Sequence, residues 1–152
     1  MVVWRIECSD IAVPTFDRCV VLVADDEPAV LRLTSAALSH HGYEVISAPD
    51  GISALGVCQQ RKGPIHLALL DIVMPGMTGP ELFRRLQVLH PKLEVLFMSG
   101  YRPDDITMPH ITPSQFIDKP FLTRTLVQRV NEILRNTQAC ALPDDEAEAA
   151  TA

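Results

Sequence analysis

The stretch Leu67-Ala68-Leu69-Leu70-Asp71-Ile72-Val73-Met74-Pro75-Gly76 decides how this chain folds. Four apolar residues run into a carboxylate and then into a Pro-Gly turn. A run so short and so wholly apolar reads as a strand covered on both faces. Asp71 stands where that strand emerges. A junction of the same kind lies upstream, where Val20-Val21-Leu22-Val23-Ala24 meets Asp25-Asp26. A third apolar run, Leu93 to Met98, ends in Ser99, and Lys119 follows the short stretch Phe116-Ile117. Acid, acid, hydroxyl and ammonium each stand at the exit of a different strand.

Helical patterns separate these runs. Pro28 suits the first turn of a helix whose stripe is Val30, Leu31, Thr34, Ala37, Leu38 and His41, with Gly42 as its stop. Glu44 to Ser47 is a short strand. Asp50 caps a second helix holding Ile52, Leu55 and Cys58, closed by Gly63-Pro64. Thr78 or Gly79 opens a third, with Leu82, Phe83, Leu86 and Leu89 on one face, ending before Pro91. Between Arg102 and Ser114, Pro103, Pro109 and Pro113 each remove a donor and restrict the preceding residue, so only an irregular fourth helix fits, near 104–108. Gln115 to Ile117 is a short strand. A last helix, helped to start by Thr123, carries Leu122, Leu126, Val130, Ile133 and Leu134.

Strand and helix alternating about five times argue a parallel sheet with helices on both faces. The apolar first, third and fourth strands belong at its centre and the more polar second and fifth at its edges. Right-handed crossovers then give a flavodoxin-like, doubly wound five-stranded sheet of order 2-1-3-4-5. Ligands of such sheets bind beyond the carboxyl ends of the strands, at the switch point between the first and third. Those strands deliver Asp25, Asp26 and Asp71.

Bulk properties set the remaining bounds. The chain has 152 residues, enough for one domain with a real core, and 47% of them are hydrophobic. The net charge of −6 comes with no Lys/Arg cluster, which argues against nucleic acid as a partner. No apolar run approaches the length of a membrane span. Cys8, Cys19, Cys58 and Cys140 are scattered without metal-binding spacing; their even number leaves disulfides open, but Cys19 and Cys58 read more simply as small core residues in a reducing, cytoplasmic setting. Residues 1–18 are expected to form an N-terminal extension, 19–136 the domain, and 137–152 an acidic, disordered tail.

Taken singly, each polar residue has an ordinary reading as a turn former, a helix cap or solvated surface. Together they describe one pocket. Two carboxylates about 4 Å apart repel by roughly 4 kcal/mol at an effective dielectric near 20, so the cluster must take up a proton or a cation. Hard oxygen donors without His or Cys favour Mg²⁺. With that charge screened, Asp71 can act as a nucleophile toward a phosphoryl group, and Lys119 and Ser99 can bind the transferred oxygens.

The segments Val21 to Pro28, Leu69 to Gly79, Phe97 to Tyr101 and Phe116 to Phe121 resemble the receiver domain of two-component response regulators, over roughly residues 19–136. The wording around Ser99 is similar to receivers attached to hybrid sensor histidine kinases. The resemblance implies that Asp71 is the phosphoacceptor and that Mg²⁺, or Mn²⁺ in its place, is held directly by Asp26, by Asp71 and by the Val73 carbonyl, with Asp25 holding it largely through water. It implies further that Ser99 and Lys119 bind the phosphoryl group, that Phe116 is a switch aromatic, and that the bond before Pro120 is cis. A histidine kinase or histidine phosphotransfer protein would be the phosphodonor, and a further protein would receive the signal, with neither nucleic acid nor membrane as a partner. The irregular fourth helix argues against the usual receiver dimer, and a monomer, or a dimer by another route, is expected. Val73 and Tyr101, two residues beyond Asp71 and Ser99, imply slow loss of phosphate. Two other functions compete: a Mg²⁺-dependent small-molecule phosphohydrolase, which would want a second carboxylate where Val73 stands, and a pseudo-receiver scaffold, against which the intact acid set argues. The expected role is that of a switch rather than an enzyme.

Overall fold

Every apolar run identified in the sequence is a strand, and every helical stripe is a helix. The computed structural model describes residues 18–100, 111–137 and Cys140. Its elements are β1 (Val20–Ala24), α1 (Pro28–His40), β2 (Glu44–Ala48), α2 (Gly51–Gln60), β3 (Leu67–Asp71), α3 (Gly79–Leu89), β4 (Glu94–Ser99), a 3-10 turn (Pro113–Gln115), β5 (Phe116–Asp118) and α4 (Thr123–Thr137). All strand pairs are parallel, in the order β2-β1-β3-β4-β5.

Alternation along the strands divides the core in two. Leu22, Ala68, Leu70, Val95 and Phe97 face Ala54, Cys58, Leu82, Phe83 and Leu86 of α2 and α3. Val21, Val23, Leu67, Leu69, Leu96 and Met98 face Leu38 of α1 and Leu126, Val127, Val130 and Leu134 of α4. β1 and β3 are buried along their whole length. Only a sheet covered on both sides permits that, and it explains why neither strand alternates polar with apolar.

Local chemistry fixes the helix starts. Pro28 occupies the first turn of α1. The Asp50 carboxylate accepts the Ser53 N–H at 2.7 Å to open α2, and the Thr78 hydroxyl accepts the Glu81 N–H at 3.2 Å to open α3.

Several details differ from the sequence pattern. Ser99 is the last residue of β4 rather than the first beyond it. Ile52 and Leu122 are exposed, at 63% and 65%, and Leu122 precedes α4; Leu89 also turns outward. Cys19 is fully buried, as a core residue should be, but it is bonded to Cys140 across 121 positions of sequence. No residue spacing announces that pairing; it arises because α4 runs back along the sheet to the start of β1. Cys140 packs on the same core as α1 and α4. The short helix expected near 104–108, Tyr101, most of the N-terminal extension and most of the acidic tail lie outside the described residues.

The turn after β3 is built on two glycines. Gly76 has φ +80°, a left-handed conformation that side chains disfavour. Gly79 donates its N–H to the Ile72 carbonyl at 2.9 Å, and a Cβ there would stand 2.3 Å from the Asp71 carbonyl oxygen. Gly79→Ala should therefore destabilise the protein by about 2–4 kcal/mol in chemical denaturation. Gly56→Ala, in α2 with open space around it, should stabilise it by about 0.5–1 kcal/mol. Equal effects of the two substitutions would remove the close approach at Gly79 as an explanation.

Candidate functional site

The register of three strands assembles the site. In β1 and β3, Ala24 pairs with Leu70, so Asp25 and Asp71 leave the sheet side by side. Asp71 pairs with Met98, and Ser99 with Asp118, which carries Ser99 and Lys119 to the same edge. Backbone bonds hold the exits in place: Ile72 donates to the Met98 carbonyl at 3.1 Å and Lys119 to the Ser99 carbonyl at 2.8 Å. The bond between Lys119 and Pro120 is cis, as the resemblance implied.

An open cleft of about 280 Å³ lies at this edge, lined by Asp26, Glu27, Asp71, Ile72, Val73, Ser99, Gly100 and Lys119. Asp25 is fully buried beneath it. One Asp25 oxygen accepts the Glu27 N–H at 2.9 Å, and the other takes the Lys119 ammonium at 2.7 Å. The same ammonium stands 3.5 Å from Asp71 and 3.5 Å from Glu27. Asp26 is exposed.

All the proposed site residues except Phe116 thus meet at one cleft or directly beneath it. Phe116 lies one strand away. Its ring is 5.6 Å from that of Phe97, directly opposite in the β4–β5 register, and Phe97 in turn meets Phe83 edge-on at 6.0 Å. Glu27 is the residue the sequence pattern passed over. It follows the acid pair directly and sits at the start of α1, and an acidic residue before a helix-opening proline was the one signal available.

One oxygen from each of Asp25, Asp26 and Asp71 can lie within 4.8 Å of the others. Burial, with the adjacent charge of Asp25, pushes the Asp71 carboxyl up to about 7; Lys119 pulls the other way, and Asp26 adds to the rise. Burial works to lower the Lys119 ammonium, but the hydrogen bond and charge of Asp25, followed by Asp71 and Glu27, outweigh it and leave its pKa above the usual value. One ammonium is therefore too little positive charge for these carboxylates, and without a further cation Asp71 is only partly ionised near pH 7. An all-oxygen cluster with that deficit fits a hard divalent cation.

The profile of the family described as "Response regulator receiver domain" matches residues 21–131. The sensor kinase CckA of Brucella abortus is 36% identical over 116 residues, which are 75% of this chain and 12% of that protein. The response regulator receiver protein CpdR of the same organism is 34% identical over 116 residues, 75% of this chain and 95% of that one. The chain spans about half the length of several other curated relatives, such as the response regulator GtcR of Aneurinibacillus migulanus. A crystal structure of the receiver domain from the hybrid histidine kinase CckA superimposes with a TM-score of 0.64 at 34% identity, covering 74% of this chain and 96% of that one.

The raised Asp71 value fixes a sign. A carboxylate that ionises at a higher pH when folded weakens the fold as pH rises from the unfolded value near 4 through about 7. Without divalent metal, Asp71→Asn should therefore be more stable than the parent by roughly 2–4 kcal/mol at pH 8, with the gain falling below about 1 kcal/mol near pH 4. Urea titrations in EDTA at both pH values measure this; a gain of equal size at the two would contradict it.

Proposed function

The chain belongs to the response regulator receiver family, the phosphoacceptor modules of two-component signalling, and on that footing we propose that Asp71 is its phosphoacceptor. The observation that carries this is the placement of Asp71 at the cleft, at the strand exit beside the two other carboxylates, within reach of Lys119. A receiver is a signalling module rather than an enzyme in its own right; the chemistry proposed for this chain is self-catalysed transfer and slow loss of one phosphoryl group.

The donor is a phosphohistidine of a histidine kinase or histidine phosphotransfer protein. An Asp71 oxygen attacks phosphorus, the P–N bond breaks, and the imidazole leaves. Lys119, already 3.5 Å from Asp71, neutralises the charge that arrives and binds a phosphoryl oxygen, while the Ser99 hydroxyl donates to another. Mg²⁺, when bound, would supply the charge that screens the incoming phosphoryl group from the carboxylates. Asp26, Asp71 and the Val73 carbonyl would hold it directly, and Asp25, whose oxygens already serve Glu27 and Lys119, would do so through water. Asp71 must be ionised to attack, and positive charge held by Asp26, Asp71 and the Val73 carbonyl would favour that ionised form.

Phosphorylation then draws Ser99 toward the new group. Ser99 and Phe97 stand two apart in β4 and share a face, and Phe97 touches Phe116. Phe116 has no hydroxyl, so a readout through it acts by packing, on a protein partner in the cytoplasm. The competing phosphohydrolase reading wants a carboxylate where the exposed apolar side chain of Val73 stands.

Intact-mass measurement after incubation with Mg²⁺ and acetyl phosphate tests the proposal. One phosphoryl adduct is expected, lost in Asp71→Asn and on addition of EDTA. Turnover of phosphate esters without an adduct would favour a hydrolase, and neither adduct nor turnover a scaffold. Val73 offers no group to position water, so the adduct should persist, and Val73→Gln should shorten its lifetime by about tenfold when the mass is followed over time.

A further inference from the structure

We propose that Cys19 and Cys140 form a reversible thiol–disulfide site, entered through Cys140, that fastens the end of α4 to the start of β1. The pair lies at the opposite edge of the sheet from the cleft and does not depend on the phosphoacceptor role.

The geometry suits a disulfide before any bond is drawn. The two Cα atoms are 5.2 Å apart, within the range that a disulfide bridges without moving backbone. The two cysteines differ in every other respect. Cys19 is fully buried and its neighbourhood is pinned. Its carbonyl accepts the Glu44 N–H at 3.0 Å, and the next N–H, of Val20, is bonded to the His66 ring at 2.9 Å. Cys140 is partly exposed, three positions beyond the last residue of α4. Cys58, the remaining described cysteine, is buried in the core between the sheet and α2 and α3, on the other face, and burial pushes its thiol up to about 11. It is neither near enough nor reactive enough to exchange with the pair.

This asymmetry dictates the order of events. For closure, the Cys140 thiolate attacks a small-molecule disulfide such as oxidised glutathione, and one glutathione thiolate leaves. The Cys19 thiolate then attacks the Cys140 sulfur of the mixed disulfide, and the second glutathione thiolate leaves. Two cysteine thiols are oxidised by two electrons, and one glutathione disulfide is reduced to two glutathiones. Opening runs in reverse, with an external thiolate attacking Cys140 and Cys19 departing into the core. The bond closes a long loop and should raise the stability of the whole domain; its local effect should fall on the last turn of α4.

The full chain can be equilibrated across buffers of reduced and oxidised glutathione, alkylated, mapped by peptide mass and followed by hydrogen exchange. The oxidised form should be lighter by two hydrogens, join Cys19 to Cys140 and melt roughly 5–15 °C higher than the reduced form. Reduction should speed exchange most at Ile133–Thr137, with β3 and β4 accelerating only by the loss of global stability. Cys19→Ser should accumulate one glutathione on Cys140, whereas folded Cys140→Ser should accept none on Cys19. A Cys8→Ser variant should behave as the parent. Labelling of Cys19 as fast as Cys140 in the folded reduced protein, a bond from Cys140 to Cys8 or Cys58, or a bond that excess reduced glutathione leaves intact would each overturn the proposal.

Discussion

The ammonium of Lys119 stands 2.7 Å from Asp25 and 3.5 Å from both Asp71 and Glu27, and the active edge of this fold depends on it. The order of the sheet forces the problem that Lys119 addresses. With β1 beside β3 and both running the same way, the residues following Ala24 and Leu70 must emerge together, and they are carboxylates. No side-chain rotation carries Asp25 away, because it is buried and held at one oxygen by the Glu27 N–H. The cost appears on Asp71, whose carboxyl is pushed up to about 7 by burial and by Asp25. The single cation makes the cluster tolerable without satisfying it. In the proposed function, that residual deficit would favour further positive charge at the cleft and chemistry that brings a phosphoryl group in with a metal.

Such a cluster is tolerable only on a stiff frame. β1 and β3 are flanked by strands on both sides and covered on both faces, and their residues lie in well-packed core. The close approach of Gly79 to the Asp71 carbonyl extends that stiffness into the turn, fixing the backbone that presents Asp71, Ile72 and Val73. The unfavourable charge is thus met by packing a few residues away rather than relieved on the spot.

Most of this was legible because it is written in local pattern. Apolar runs of four to six residues named the central strands, and the polar residue at the end of each named the site. Pro28, Asp50 and Thr78 marked helix starts because capping needs specific atoms at specific positions. What stayed hidden is what local pattern does not encode. Ile52 reads as a core residue, yet Gly51, Ala54 and Cys58 form the buried face, because small residues let α2 approach where Gly51 meets Met77. Glu27 looked like a spacer before Pro28, since its contact with Lys119 crosses a long stretch of chain. The Cys19–Cys140 pairing was hidden for the same reason: four cysteines admit three complete pairings, and only the return of α4 along β1 selects one bond.

The two edges of the sheet therefore impose different demands on the same helix. At one end, α4 follows directly on Lys119, Pro120 and the short β5, so its first turn inherits whatever movement the cleft transmits through Phe97 and Phe116. At the other, Cys140 joins it to the start of β1, a strand buried along its whole length. Between them Arg129 donates to the carbonyls of both Ser114 and Phe116 at 3.1 Å, and Tyr43 bonds to Asn131. These ties differ in kind. The Arg129 bonds are partly solvated and break individually at small cost, whereas the buried stripe Leu126, Val127, Val130 and Leu134 must shift as a unit if it shifts at all. A helix held this way does not slide. Under the proposed function, motion beginning at Ser99 would be absorbed in β5 and in the turn before it, where the backbone is short and half-exposed, so the surface that changes on phosphorylation should be the one around Phe116 rather than the outer face of α4.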